Sequence, residues 1–304
     1  WTFLPRKEAA SATKIKNSIA VISFEKQTGD KAYDYLQKAI PSLLITSLEQ
    51  RGGLYVPTWE RLRDLLKQTG KEDVEFIDSD TGFALCRKEG VEAIVLGSFV
   101  KAGEVFATDV KVLDVETKKM IKSASSRGAS IASVLERQID ELSREIYRGI
   151  GLSEPKIPAD GRGIADVTTS SMEAYNEFLK GVEKYEKYYY EEARQLLEHS
   201  IKLDPDFAAA RQWLALTYGK LGDSNATTEI LIKASALAEK TNEKDRLNIY
   251  ALYAQVIEKD VEKRIRILEE LAAKYPREKR IHYNLGIHYW NKKEFPAAID
   301  AYSK

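Results

Sequence analysis

The chain is poor in cysteine and histidine, two of the residues from which reactive and metal-binding sites are made. One cysteine, Cys86, stands among 304 residues. It has no partner for an intrachain disulfide and excludes a multi-cysteine metal site. Its scarcity does not fix the compartment, because cysteine-poor proteins occur on both sides of a bacterial inner membrane. The three histidines are His199, His282 and His288. The last two are six residues apart, about 600° around a helix, so helical spacing cannot bring them to one metal ion. No G-x-S-x-G, G-x-x-x-x-G-K-[ST] or H-E-x-x-H occurs, which removes the usual nucleophile-elbow, phosphate-loop and zinc-protease signatures. "IDSDTG" offers Asp78 and Asp80, but it lacks the later ligands of a calcium loop. It reads as a solvated turn with a helix cap at Asp80 or Thr81. No catalytic, cofactor-binding or metal-ligating residue is expected, and the chain is not expected to be an enzyme in its own right.

Charge of one sign is also missing. Forty-seven basic residues balance forty-seven acidic ones, whereas a nucleic-acid domain shows a clustered basic excess. No run of eighteen apolar residues is present. The opening "WTFLPRK" has two readings. Trp1 and Phe3 suit the interfacial end of a membrane span that precedes the chain and would tether it; the extracytoplasmic side of a bacterial membrane is the expected location, slightly ahead of the cytoplasmic one. Arg6 and Lys7 fit a cytoplasmic flank instead, and a plain tail over residues 1–16 is the alternative.

What is there is enough to build cores: 43% hydrophobic and 10% aromatic residues. Residues 17–153 alternate strands and helices. "NSIAVISF" reads as a buried strand, and "LYVPT" as a second one. "DYLQKAIPSLLITSLEQRGG" places Leu36, Ile40, Leu43, Leu44 and Leu48 at helical spacing. Pro41 is expected to open that helix at its first turn, or else to kink it. "WERLRDLLKQTG" and "DTGFALCRKEG" are short helices ending in glycine. "VEAIVLGSFV", "EVFATDVKVLDV" and "KKMIKSASSRG" are strands joined by hairpin-length connections. "SIASVLERQIDELSREIYRGIG" closes the half with a stripe of Ile131, Leu135, Ile139, Leu142 and Ile146. The expectation is an α/β domain, one mixed sheet with packed helices.

"IAVISF", "AIPSLLITSLEQ", "YVPTWERLRDLL" and "VEAIVLGSFVKAGEVFATDVKVLDVETKKMIKSAS" resemble the small α/β domain of the TolB N-terminal, CsgG-like and FlgO-like families. "A-I-V-L-G-S-F", the hairpin after it and "V-L-D-V-E-T" carry most of the likeness. The resemblance implies an envelope-associated assembly or sensing module without catalytic residues. Cys86 with the "RKEG" that follows it departs from the family pattern.

Residues 154–169 lack periodicity and hold Pro155, Pro158, Gly161 and Gly163, which is linker composition. From residue 170 to 304 the strand signals stop and a repeat begins. Gly181 to Ala193 and Gly286 to Ala298 are each 12 residues, while Gly181 to Gly286 and Leu197 to Tyr302 are each 105. That is three periods of about 34 residues plus three extra, the period of tetratricopeptide helix pairs. Pro205 to Pro276 is 71 residues, two periods plus the same three, which puts the insertion in "LAEKTNEKDRLNIYALYAQ". Small residues at Gly181, Ala215 and Gly286 let paired helices approach, and Leu197, Leu231, Leu268 and Tyr302 fill the space between repeats. Leu252 and Arg264 stand where small residues are expected, so the third copy is the poorest match. "YNLG" at 283–286 resembles the tetratricopeptide consensus. An all-α superhelix of about three and a half copies follows, with the last cut short at Lys304. The chain is therefore expected to continue into further repeats or a capping helix.

The tetratricopeptide resemblance implies a partner surface on the first helix of each copy. Carried over through Gly181 and Gly286, the family's contact positions are Tyr175, Phe178, Val182, Tyr185 and Glu186 in copy one. In copy four they are Arg280, Tyr283, Ile287, Trp290 and Asn291. Copy two supplies Ala209, Gln212, Leu216, Gly219 and Lys220, with no aromatic among them. The expected partner-binding set is Tyr175, Phe178, Tyr185, Gln212, Tyr283, Ile287, Trp290 and Asn291, suited to a protein or peptide. Nucleic acid is not expected, and self-association remains an option. The alternative is that these rings pack against neighbouring repeats. The domain pair resembles regions that follow protein kinase, nucleotide cyclase or CadC-like modules in membrane-anchored bacterial signalling proteins. A free-standing envelope or secretion accessory protein is the competing setting.

Overall fold

A computed structural model describes residues 14–71, 74–152 and 162–304. These fall into two compact units, one of residues 14–129 and 141–152, the other of residues 130–140 and 162–304.

The first unit is built on a four-stranded sheet in the order β1 (Ile15–Lys26), β2 (Val91–Ala102), β3 (Val105–Asp114) and β4 (Met120–Gly128). β1 lies parallel to β2, and the β2–β3 and β3–β4 pairs are antiparallel. A parallel pair needs a long crossover. Here it holds α1 (Leu36–Gln50), α2 (Trp59–Lys67) and α3 (Ser79–Glu89). Ser18 to Phe24 of β1 are buried without interruption, as a strand covered on both faces must be. Ala20 and Ile22 join Leu62, Leu65, Phe83, Leu85 and Cys86 in the core under α2 and α3, while α1 packs on β1.

Gly97 of β2 pairs with Phe24 of β1. A Cβ at Gly97 would lie 2.2 Å from the Phe24 ring, and Phe24 is fully buried. Only glycine leaves room for that ring to lie across the neighbouring strand. Gly97→Ala is expected to cost about 1–3 kcal/mol, read as a lower urea midpoint for the first unit at unchanged slope.

Several local expectations are corrected. "LYVPT" forms no strand. Tyr55 alone bridges to β1, its N–H donating to Asn17 O at 2.9 Å and its carbonyl accepting from Ile19 N–H at 3.0 Å. Pro57 has no N–H to continue a ladder. Pro41 does not open α1 but lies inside it, because the helix already begins at Leu36. The cap of α3 is neither Asp80 nor Thr81. It is Asp78, whose carboxylate accepts the Thr81 N–H at 2.8 Å and stays below the usual carboxylate range through that bond. The last helix of this half begins as a wide turn at Val134–Gln138 and continues as α4 (Ile139–Gly149). Leu135, Ile139, Leu142 and Ile146 are buried along it.

Of the expected linker, residues 154–161 lie outside the described residues, and Ile164–Val167 form a single helical turn, α5. The Ile164 N–H donates to the Asp140 carboxylate at 3.0 Å.

The second unit is a run of helix pairs: α6 (Met172–Glu186) with α7 (Tyr190–Leu203), α8 (Ala208–Leu221) with α9 (Ser224–Leu237), α10 (Glu243–Tyr253) with α11 (Val261–Lys274), and α12 (Lys279–Asn291) with α13 (Phe295–Tyr302). Each pair packs internally and against the next, the arrangement of a helical-repeat solenoid. The small-residue positions act as the spacing implied. A Cβ at Gly181 would meet Leu197 at 2.7 Å, and one at Gly286 would meet Tyr302 at 2.5 Å. The three extra residues are split. One precedes α10, next to a tight turn at Ala238–Lys240, and two enlarge the α10–α11 connection as a wide turn at Ala254–Glu258.

Candidate functional site

Among the described residues, His, Cys, Asp and Glu are dispersed rather than clustered. Cys86 is buried, and burial pushes its thiol up to about 12, so it stays protonated and unreactive at neutral pH. Among the described residues no cluster of three or more His, Cys, Asp and Glu could hold a metal ion. His282 Nε2 lies 2.8 Å from Pro276 O, and His199 Nδ1 lies 3.5 Å from the Glu177 carboxylate. A cavity of about 400 Å³ in the first unit is lined by Ser18, Glu92, Asp114, Glu116 and Gly149, among others. Its polar groups serve the backbone. Ser18 Oγ accepts the Glu92 N–H, Glu92 accepts the Asn17 N–H, and Asp114 accepts the Glu116 and Thr117 N–H groups.

The second unit carries the distinctive arrangement. Tyr188, Tyr190, Tyr185 and Trp213 form an unbroken ladder of rings. Centroid distances are 6.2 Å from Tyr188 to Tyr190, 5.3 Å from Tyr190 to Tyr185, and 5.2 Å from Tyr185 to Trp213. All three contacts are edge-to-face, the favoured geometry for aromatic pairs. The Arg280 guanidinium closes the ladder, 4.4 Å above the Trp213 ring. These residues come from α6, the turn after it, the start of α7, α8 and α12, so three of the four repeats meet here. Tyr188 is held in a left-handed conformation at φ 65°, and its N–H and that of Tyr189 tie back to the Tyr185 and Lys184 carbonyls at 3.0 and 2.9 Å. That closed turn projects Tyr188, which is 77% exposed. Tyr185 is half-buried, and burial raises its phenol above the usual range.

Arg280 Nη1 is buried and has no acceptor. Leaving a buried donor unmade costs about 1–3 kcal/mol, more when it is charged. Asp245, on α10, is within electrostatic range but does not pair with it. Its carboxylate accepts the Asn242 amide at 2.6 Å, and burial holds it above the usual carboxylate range against the pull of Lys244 and Arg280.

The expected partner-binding residues separate into three groups. Tyr175 and Gln212 are buried, and Tyr175 packs on Phe178 and Phe207 at 5.9 and 6.3 Å, so they belong to the packing between the first two repeats. Phe178 is half-buried in the same cluster, 4.9 Å from Phe207. Tyr185 joins the ladder. Tyr283 and Trp290 are 57% and 58% exposed, touching Tyr302 at 5.9 Å and Phe295 at 5.2 Å. Asn291 is exposed and Ile287 half-buried. Trp213 was not among the expected residues because the carried-over positions straddle it, Gln212 on one side and Leu216 on the other. A count of tryptophans on first helices was the available signal.

Arg264, at a position expected to be small, is 9% exposed. Its Nε has no acceptor, and burial pulls its guanidinium down to about 10. His288 is buried near it and held below its usual range by desolvation and by the Arg264 charge. Replacing buried charge with an apolar side chain of similar volume often stabilises. Arg264→Met is expected to add about 1–2 kcal/mol in chemical denaturation. It should also raise the His288 pKa in an NMR titration. A histidine depressed in the fold contributes stability that is lost as pH falls below 6.5. The acid side of the wild-type stability curve should therefore flatten in the variant.

No family model matches the sequence, and no curated protein does. Among solved structures, the chain is similar to the C-terminal domain of LpoB from Salmonella enterica, at TM-score 0.33 and 14% identity over 39% of this chain and 87% of that one. It is similar to lipoprotein GNA1162 from Neisseria meningitidis, at TM-score 0.32 and 16% identity over 43% and 96%. It is also similar to MamA of MSR-1, at TM-score 0.28 and 18% identity over 43% and 73%. These likenesses are too slight to bear on function, which rests on the site itself.

Proposed function

We propose that this chain is a non-catalytic interaction protein whose repeat unit binds an extended segment of a partner protein along its first helices. The observation that carries this reading is the ring ladder from Tyr188 to Trp213, closed by Arg280. Aromatic rings give large contact area at low entropic cost. A ladder drawn from several repeats gives an extended segment successive footholds that no single helix could offer. A bacterial signalling assembly is the setting we assign, from the resemblance of the domain pair to sensor regions. An envelope accessory role would use the same surface.

The test is selection of linear peptides from a displayed random library against the whole chain. Selected peptides are expected to bind at least tenfold more weakly to Tyr185→Ala and Trp213→Ala, and about threefold more weakly to Tyr188→Ala, whose exposed ring cannot support the fold. Ile232→Ala, on the exposed side of α9, should change nothing. Selection of no peptide, or of peptides indifferent to all three ladder variants, contradicts the reading.

A further inference from the structure

The ladder ends in a group whose chemistry is more selective than that of a ring. Arg280 stacks on Trp213 yet leaves Nη1 buried without an acceptor. Native structures satisfy nearly all buried donors, and an exception on a binding surface points to what the surface receives. The local acids are committed elsewhere. Asp245 accepts from Asn242, and Glu278, two residues before Arg280, accepts from Lys244 at 3.0 Å. The guanidinium also sits over an indole, 4.4 Å from the ring centroid, a contact that restricts where its donors can point before anything binds.

Building on the proposed function, we propose that the occupant of the ladder is an acidic extended segment, with an Asp or Glu side chain of the partner accepting from the half-buried Arg280 guanidinium. Apolar or aromatic side chains of the same segment then lie on Trp213, Tyr185 and Tyr188. Each step of the ladder, 4.4–6.2 Å, matches one to two residues of extended chain at about 3.3 Å per residue, so a segment of roughly five to eight residues spans it. A charge-assisted bond in this half-buried setting is shorter and stronger than one to a neutral amide. It makes the acid the position that discriminates between partners, while the rings supply sequence-tolerant contact.

The experiment uses the whole chain and the library-selected peptides, each synthesised as an acid form and as its Glu→Gln or Asp→Asn form, with affinity read by fluorescence polarisation. The acid form is expected to bind wild type at least tenfold more tightly than its amide form, with the difference shrinking at high salt. On Arg280→Gln the two forms should bind within about twofold of each other. Arg280→Lys should restore only part of the preference, since a lysine ammonium offers no planar fork. Both variants are compared as folded protein, checked by thermal melts, because each loses or weakens the contact with Trp213 while Arg280→Gln also removes a buried charged donor. Equal binding of acid and amide forms, or a preference that survives in Arg280→Gln, overturns this proposal while leaving the interaction function standing. Peptides that ignore Tyr185 and Trp213 overturn both.

Discussion

Arg61→Ala is expected to destabilise the first unit by about 3–5 kcal/mol, the range for breaking a buried pair by removing one partner. Glu89, at the end of α3, is only 3% exposed. It accepts from Arg61 Nε at 3.0 Å and Nη2 at 2.7 Å, and from the Tyr55 hydroxyl at 2.7 Å. The bidentate fork ties α2 to α3, and Tyr55 ties both to the edge of β1. The hydrogen bond to Glu89 raises the Arg61 guanidinium above its usual range. Removing Arg61 takes the bidentate counter-charge away from a buried carboxylate. The double variant Arg61→Ala/Glu89→Ala should recover part of the loss, since it removes the stranded charge as well. Urea denaturation followed by tryptophan fluorescence, with Trp59 packed on that core, reads both variants. A single variant as stable as wild type would mean that solvent already screens the pair.

Tyr175→Ala and Trp290→Ala should differ sharply, although sequence reasoning gave both the same role. Tyr175 is 4% exposed and wedged among Phe178 and Phe207, and burial pushes its phenol far above the usual range. Truncating it opens a cavity between the first two repeats, at a cost of about 3–5 kcal/mol. Trp290 is 58% exposed and touches Phe295 edge-on, so its truncation should cost under about 1 kcal/mol. Equal losses in guanidinium denaturation would show that Trp290 is covered in solution.

Much of the fold was legible because its signals are local. The hydrophobic run of β2, its hairpin partners and the glycine-closed helices each follow from composition within about a dozen residues. The repeat was legible because Gly181 and Leu197 recur together at Gly286 and Tyr302, and the structure packs each pair as the spacing implied. What failed was settled by tertiary contact. "LYVPT" has strand composition, but only Tyr55 finds a partner on β1. Pro41 reads as a helix start, yet apolar packing against β1 extends α1 a turn before it. At the site, Tyr185 was named and Trp213 was not. Whether an aromatic residue on a first helix faces a groove or a neighbouring helix depends on the turn of one repeat against the next. Arg280 shows this most clearly, since its partner Trp213 lies two repeats earlier in the chain, beyond the reach of any periodicity.

The most direct test of partner binding through the first helices is hydrogen–deuterium exchange of the whole chain with and without a saturating library-selected peptide. Slowed exchange is predicted at residues 185–190, in α8 around Trp213 and at the start of α12 around Arg280, with α9, α13 and the four-stranded sheet unchanged. Protection confined to the second helices or to the sheet, with the Tyr188-to-Arg280 strip exchanging as in the free chain, would contradict it.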